Sequence, residues 1–230
     1  MKTLTDYQTG QVLLIDKPLE WTSFQVVNKL RWEIRQKFNI KKIKVGHAGT
    51  LDPKATGLLI ICTGKFTKKI SEYQGQAKEY TGVITIGATR PSCDMETEID
   101  QTFDFSTITK NQIQEATAQF LGEIDQVPPI FSAIKKDGVR LYELARKGET
   151  TEIKSRKITI YEFEITQIQL PNISFRIKCS KGTYIRAIAR DFGKALGNGA
   201  YLSELRRTKI GDFTVIEAQD ITEFISSLKD

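Results

Sequence analysis

Histidine occurs once, at His47, and cysteine three times, at Cys62, Cys93 and Cys179. No two cysteines share a C-x-x-C spacing, so a zinc site is not expected. Cys62 and Cys179 fall inside apolar runs and read as small core residues of a reducing compartment. No apolar run is long enough for a bilayer, and the first six residues carry no hydrophobic signal region. A cytoplasmic protein is therefore expected. Around Gly64-Lys65, Leu59 stands where a phosphate loop needs its first glycine, and Phe66 where it needs Ser or Thr. There is no Gly-x-Ser-x-Gly elbow to pair with His47, no cysteine in a polar loop except Cys93, and no second marked carboxylate beyond Asp94. These absences argue against an NTPase, a serine hydrolase and a paired-carboxylate glycosidase. Internal repeats and linkers are also lacking.

What is present is a chain of 230 residues, 40% hydrophobic and 27% charged, with formal net charge +6 and pI about 9.1. That is ordinary for a globular protein, and the basic excess favours an anionic partner, most often nucleic acid. The stretch Gly46-His47-Ala48-Gly49-Thr50-Leu51-Asp52-Pro53-Lys54-Ala55-Thr56-Gly57-Leu58 stands out. It places three glycines, a proline, the lone histidine and a carboxylate directly before the apolar run 58–62, which reads as a buried strand. Asp-Pro is common turn chemistry, but a plain turn needs fewer of these residues. Asp52 sits between a stiff proline and a backbone free to bend at glycine.

Along the rest of the chain, Val12–Ile15 reads as a strand. Thr22 or Ser23 then caps a helix with Phe24, Val27, Leu30, Ile34 and Phe38 on one face. A short helical stretch carries Lys68, Lys69 and Tyr73. Lys78–Gly87 alternates as a strand, with Tyr80, Gly82, Ile84 and Ile86 on one face, and Thr89–Asp100 is turn-rich. Asn111–Gly122 and Leu141–Gly148 read as helices, separated by a proline-containing stretch and a basic turn at 135–138. Lys157–Leu170 and Ile173–Cys179 form an antiparallel pair joined by Pro171-Asn172. A helix follows with Ile185, Ile188, Ala189, Phe192 and Leu196 inward and Tyr184, Arg186 and Arg190 off that face, at an N-terminus that suits an anion. Tyr201–Arg207 reads as a short helix, Lys209–Val215 as a strand and Ile221–Leu228 as a helix. Without regular βαβ alternation the class is α+β with a largely antiparallel sheet. One domain, 1–230, is expected, with 127–156 as a protruding segment.

A lone aspartate among basic and aromatic residues can act as a nucleophile or general base if an arginine keeps it ionised, and tyrosines offer faces on which bases stack. The loop Gly46–Gly57 resembles the signature of the tRNA pseudouridine synthase B (TruB) family. Asp16-Lys17-Pro18 with Trp21-Thr22-Ser23 resembles the family's first motif and Lys78-Glu79-Tyr80 its second. Val127-Pro128-Pro129 through Ser132-Ala133-Ile134-Lys135 to Tyr142, Ala145 and Arg146 is similar to its RNA-gripping segment. Cys179-Ser180-Lys181-Gly182-Thr183-Tyr184-Ile185-Arg186 resembles the third motif and Leu205-Arg206-Arg207-Thr208 the last. The matches run in order over roughly residues 11–215.

The resemblance implies the pseudouridine synthase fold, a central mixed sheet flanked by helices, and conversion of uridine 55 in the T loop of tRNA to pseudouridine. It implies Asp52 as nucleophile on a flipped-out nucleotide, Tyr80 stacked on the base and Arg186 paired with Asp52. Tyr184 would hydrogen-bond in the pocket, Leu205 would wall it, His47 would fill the gap left by the base, and Lys17 would back the loop. No cofactor or metal is implied, and a monomer that binds the T stem-loop is expected. Lys41, Lys42, Lys44, Lys65, Lys68, Lys69, Lys135, Lys136, Arg206 and Arg207 are candidates to line RNA phosphates. Three departures stand against the family pattern. Glu20 replaces a usual glycine, Thr97 replaces another after Asp94, and a chain ending at Asp230 leaves no room for the C-terminal PUA domain of many relatives. The competing reading is an RNA-folding chaperone without catalysis.

Overall fold

The computed structural model describes residues 2–132, 134–136, 138–149 and 151–229. Ala133, Asp137 and Thr150, within the expected 127–156 segment, lie outside the described residues. The chain divides into two compact units, Met1–Tyr80 with Leu205–Asp230, and Thr81–Glu204.

In chain order the first unit holds α1 (Leu4–Thr9), β1 (Val12–Lys17), α2 (Ser23–Lys37), β2 (Val45–His47), β3 (Ala55–Thr63) and α3 (Ile70–Gly75). Strand β4 (Lys78–Ile86) leads into the second unit, with β5 (Ala88–Thr89), β6 (Gln101–Thr102), α4 (Lys110–Ala118), β7 (Gly122–Gln126), β8 (Lys135–Lys136), β9 (Val139–Arg140), α5 (Leu141–Arg146), β10 (Arg156–Gln169), β11 (Asn172–Cys179) and α6 (Ile185–Ala195). Strand β12 (Ala200–Ile210) returns to the first unit, followed by β13 (Phe213–Thr214) and α7 (Ile221–Lys229). Strand order is β1-β3-β12 in the first unit and β12-β4-β11-β10-β7 in the second. The sheet is mixed and largely antiparallel, with helices flanking it, which is the α+β class expected.

Strand β3 is the spine of the first unit. Every residue from Gly57 to Thr63 is buried, because both faces are covered. Leu59 and Ile61 pack with Leu13, Ile15, Val27, Leu30 and Ile34, together with Phe224 of α7. Leu58, Ile60 and Cys62 pack on the opposite side with Ala48 and Ile210. Each such aliphatic side chain removed from water contributes roughly 1.5–3 kcal/mol, so the strand that ends the 46–58 stretch is firmly anchored. Strand β1 runs antiparallel to β3 with Lys17 opposite Gly57. Strand β12 runs parallel to β3 on its other side with Arg207 opposite Gly57. The register therefore aligns Lys17, Gly57 and Arg207 in one row.

Several expectations need correction. Tyr201–Arg207 is not helical, and together with Lys209 and Ile210 it forms the single strand β12. Leu, Glu and Arg favour helix locally, but pairing with β3 and burial of Tyr201, Leu202, Arg207 and Ile210 override that preference. On α2, Phe24 is exposed at 62% and its expected place is taken by Val26 and Ser23. Thr22 is the cap, with a reciprocal bond to Gln25. Arg186 is buried although its position on α6 suggested the polar side. Helix α1, capped by Thr3 with Asp6, and strand β7, which buries only Gln126 fully, were not anticipated. Glu20, which stands in place of a usual glycine, adopts φ +65°, a region that costs a side-chain-bearing residue about 1–2 kcal/mol. Its amide donates to the Pro53 carbonyl (2.9 Å) and its carboxylate meets Lys54 (2.7 Å), so the turn persists without glycine.

Candidate active site

The first unit builds a loop, residues 48–54, whose backbone is held at every carbonyl from Gly49 to Pro53. Strand β2 pairs with β3, His47 opposite Ile61, and the Ala48 amide donates to the Ile60 carbonyl at 2.9 Å. The chain then leaves the sheet, with Gly49 at φ +105°. Arg207 Nη2 donates to the Gly49 carbonyl (3.1 Å), Nη1 to that of Thr50 (3.4 Å), and Nε to that of Leu58 (2.8 Å). Buried Ser23 donates its hydroxyl to the Leu51 carbonyl (3.1 Å) and accepts from the Leu51 amide (2.8 Å). The Ala55 amide donates to the Asp52 carbonyl (3.1 Å). Pro53 accepts from the Glu20 amide and from Lys17 Nζ at 3.5 Å. Because bonds to backbone carbonyls fix the turn, the half-buried Asp52 is presented by a held frame.

Lys17 is fully buried and also donates to the carbonyls of Pro18 (2.8 Å) and Trp21 (2.6 Å). Burial lowers its pKa to about 8, and the like charge of Arg207 adds to the shift. The charges of Asp52, Glu20 and Asp16 oppose it. His47, half-buried, is also shifted down, first by burial and then by Arg207, which favours a neutral imidazole. Arg206 forms a two-pronged pair with Asp16 (3.0 and 2.5 Å), and Arg207 is only 1% exposed. The expectation that both line RNA phosphates is thus corrected for Arg207, whose donors point into the loop. Leu205 is half-buried opposite Ala55. Tyr80 is buried on β4.

The Lys17 shift makes a testable statement about stability. Unfolded lysine keeps its proton to about pH 10.5 while the folded residue releases it near 8. Above pH 8 the unfolded chain therefore binds more protons, so stability rises with pH, by at most about 1.4 kcal/mol per unit for one site. Cys62, pushed up to about 11 by burial from an ordinary thiol value of 9.0, works in the opposite direction above pH 9. The window is therefore pH 8 to 9. Urea midpoints of the protein are expected to rise across it, and those of Lys17→Met to lack that rise. A flat profile in the unsubstituted protein would remove the buried charge from the account.

In the second unit the start of α6 gathers a different set. Gln126, buried, accepts from the Tyr184 amide (2.8 Å) and donates to the Tyr184 carbonyl (3.1 Å). The Arg156 guanidinium lies over the Tyr184 ring at 4.5 Å and donates to the Gly182 carbonyl. Arg186, 4% exposed, donates to the carbonyls of Ser92 (3.2 Å) and Phe131 (2.9 Å), and its Nε is 3.4 Å from Asp94 Oδ2. Asp94 Oδ1 accepts from the Glu96 amide (2.9 Å). Ser92 and Thr97 hydroxyls meet at 2.9 Å beside it, so threonine in the usual glycine position takes part in holding the Asp94 turn. Lys17, His47, Asp52, Tyr80 and Leu205 thus belong to the first unit, and Tyr184 and Arg186 to the second. Asp94 drew notice in the sequence only as an isolated carboxylate. Ser23 stood out in the sequence only as a candidate cap within the first motif, and Gln126 and Arg156 carried no signal, because backbone-binding side chains have no fixed spacing.

Among the described residues no helix is long and apolar enough to cross a membrane. Comparison with known proteins gives a consistent picture. The family model "TruB family pseudouridylate synthase (N terminal domain)" matches residues 35–185, and "tRNA pseudouridylate synthase B C-terminal domain" matches 186–228. The chain is 68% identical to tRNA pseudouridine synthase B of Flavobacterium johnsoniae over 228 residues, covering 99% of this chain and all of that one. It is 53% identical to the protein of that name from Phocaeicola vulgatus, covering 95% and 93%. Among solved structures it resembles a Cbf5-Nop10-Gar1 complex with TM-score 0.72 and 30% identity, covering 96% of this chain and 55% of that one. An H/ACA RNP bound to a substrate RNA containing 2'-deoxyuridine follows with TM-score 0.68 and 27% identity, covering 96% and 53%. With a held aspartate loop, a buried arginine at a helix start and family models that together span most of its length, the chain belongs to the TruB family of pseudouridylate synthases.

Proposed function

We propose that this chain isomerises uridine to pseudouridine at position 55 in the T loop of tRNA, with Asp52 as the nucleophile. The observation that carries the reading is the Asp52 loop itself, fixed at five consecutive carbonyls in a chain of this family. Such a frame presents a carboxylate at one position, and near-attack positioning supplies a large share of a reaction barrier. The target nucleotide leaves its stack and enters the site. The carboxylate forms a bond to the ribose or the base, and the glycosidic C–N bond breaks. The uracil turns and bonds to the sugar through C5, the C5 proton departs, and Asp52 is regenerated. The net change is an isomerisation, so no oxidant or energy source is consumed and no cofactor is required. Arg186 keeps the aspartate charged, Tyr80 stacks on the flipped base, Tyr184 hydrogen-bonds within the pocket, Leu205 walls it, and His47 occupies the gap left in the RNA. The protein works as a cytoplasmic monomer.

The first unit also offers a surface for the RNA backbone. A cavity of about 450 Å3 is lined by Arg31, Arg35, Lys41, Lys42, Ile43 and Lys44. A second, of about 370 Å3, shares Lys42, Ile43 and Lys44 and adds Lys65 and Lys68. Among the described residues no carboxylate lines either, and Lys44 lies three residues before His47. Binding through such a surface weakens steeply as salt is added. The test is incubation of unmodified tRNA with pure protein, followed by carbodiimide mapping. A stop at position 55 is expected, and its absence with binding intact would favour the chaperone reading.

A further inference from the structure

The sequence placed Arg207 among the residues that meet RNA, and the structure places it under the loop that carries Asp52. Three observations converge on it. Its guanidinium is buried and spans both ends of the turn, with Gly49 and Thr50 on the entering side and Leu58 on the leaving side. All three acceptors are backbone carbonyls, and among the described residues Arg207 makes no ion pair, so its charge is not neutralised by a bonded carboxylate. The backbone of β3 also packs tightly against Arg207. A Cβ on Gly57 would lie 2.3 Å from the Arg207 carbonyl oxygen, while Gly49, at φ +105°, lets the chain turn beside Nη1.

We propose that Arg207 is the positioning residue of the Asp52 loop, fixing the carboxylate's location for the reaction while contributing nothing to RNA affinity. The proposal rests on Asp52 being the nucleophile. A guanidinium suits this task because its fork reaches three acceptors in one plane, whereas an ammonium is a point donor on a flexible stem. Lysine at this position would keep the charge and a share of the bonds but release part of the turn. Loss of positional control by about 1 Å costs on the order of 100-fold in rate.

The experiment compares Arg207→Lys and Arg207→Gln with the unsubstituted enzyme on unmodified tRNA. Single-turnover rate at saturating RNA, the dissociation constant and amide hydrogen exchange over residues 48–54 are measured well below the melting temperature. The expected result is a rate lowered about 10- to 100-fold in Arg207→Lys and further in Arg207→Gln. The dissociation constant should stay within threefold, and exchange in the loop should be faster by tenfold or more, with the other protected amides unchanged. A loss carried mainly by the dissociation constant would return Arg207 to the RNA-binding set and overturn the proposal. An unchanged rate in folded Arg207→Gln would do the same. Failure of both variants to fold would overturn it too, by making Arg207 a core residue and no more. Asp52→Asn is run in parallel. If that variant turns over normally, the nucleophile assignment fails whatever Arg207 does. If it is inactive while the Arg207 variants are normal, only the positioning role fails.

Discussion

Replacing Asp52 by asparagine is expected to leave a folded protein that binds tRNA and forms no pseudouridine. The fold is spared because the bonds that hold the loop carbonyls from Gly49 to Pro53 come from backbone amides and from the side chains of Ser23, Lys17 and Arg207, none of which the substitution removes. Asparagine has the same shape as aspartate but a neutral amide in place of a nucleophilic oxygen. Removal of a covalent catalyst that acts at the centre of a reaction costs on the order of 10⁴- to 10⁶-fold in turnover. RNA affinity should hold or rise slightly, since one negative charge is withdrawn from a basic surface. Asp52→Glu is the informative companion. It keeps the charge but moves the oxygens outward by one methylene on a loop that cannot retreat, so a loss of roughly 10²-fold is expected. The measurement is single-turnover release of tritium from tRNA labelled at uracil C5, together with a filter-binding constant. Asp52→Asn turning over within tenfold of the unsubstituted enzyme would mean that another group forms the bond.

The Asp52 loop was legible in the sequence because it breaks a local pattern. Glycine, proline, histidine and aspartate crowd together beside the most apolar strand, and the apolar run 58–62 lies inside β3, which begins three residues earlier at Ala55. The α2 cap, the β10–β11 hairpin and the α6 helix were legible for the same reason, since each is set by neighbours in sequence. What was not legible depends on long-range pairing. Strand β12 reads as helix until β3 is laid beside it, and the inward course of Arg207 follows from that strand register and from nothing in its own neighbourhood. Arg206 and Arg207 are adjacent and identical in type, yet one reaches Asp16 near the surface and the other disappears under the loop. Alternation along a strand decides this, and reading the segment as a helix hid it. The partnership of Asp94 with Arg186 is likewise a contact across 92 positions in sequence.

That pair carries the second large effect. Asp94 and Arg186 have side chains 6% and 5% exposed, with Nε and Oδ2 3.4 Å apart. Replacing Arg186 by methionine fills similar volume but leaves Asp94 buried without that counter-charge and strips donors from the Ser92 and Phe131 carbonyls. Breaking a buried pair from one side costs about 3–5 kcal/mol, and two carbonyls left without those donors raise the loss further. Arg186→Met is therefore expected to lose at least about 3 kcal/mol of stability, read as a shift in the urea midpoint. Asp94→Leu should also lose stability, because it removes the carboxylate beside the buried guanidinium. The double variant is the decisive one. Once neither charge remains, the desolvation cost that each single variant leaves unopposed is gone, and replacement of a whole buried pair by apolar groups is often close to neutral. The double variant should therefore be more stable than the sum of the single losses predicts by about 2 kcal/mol or more. On the proposed reading, in which Arg186 keeps Asp52 charged, it should also be inactive, since stability would recover without that arginine. Strict additivity across the cycle, or a loss below about 1 kcal/mol for Arg186→Met, would show that the two side chains are neighbours without being energetically coupled.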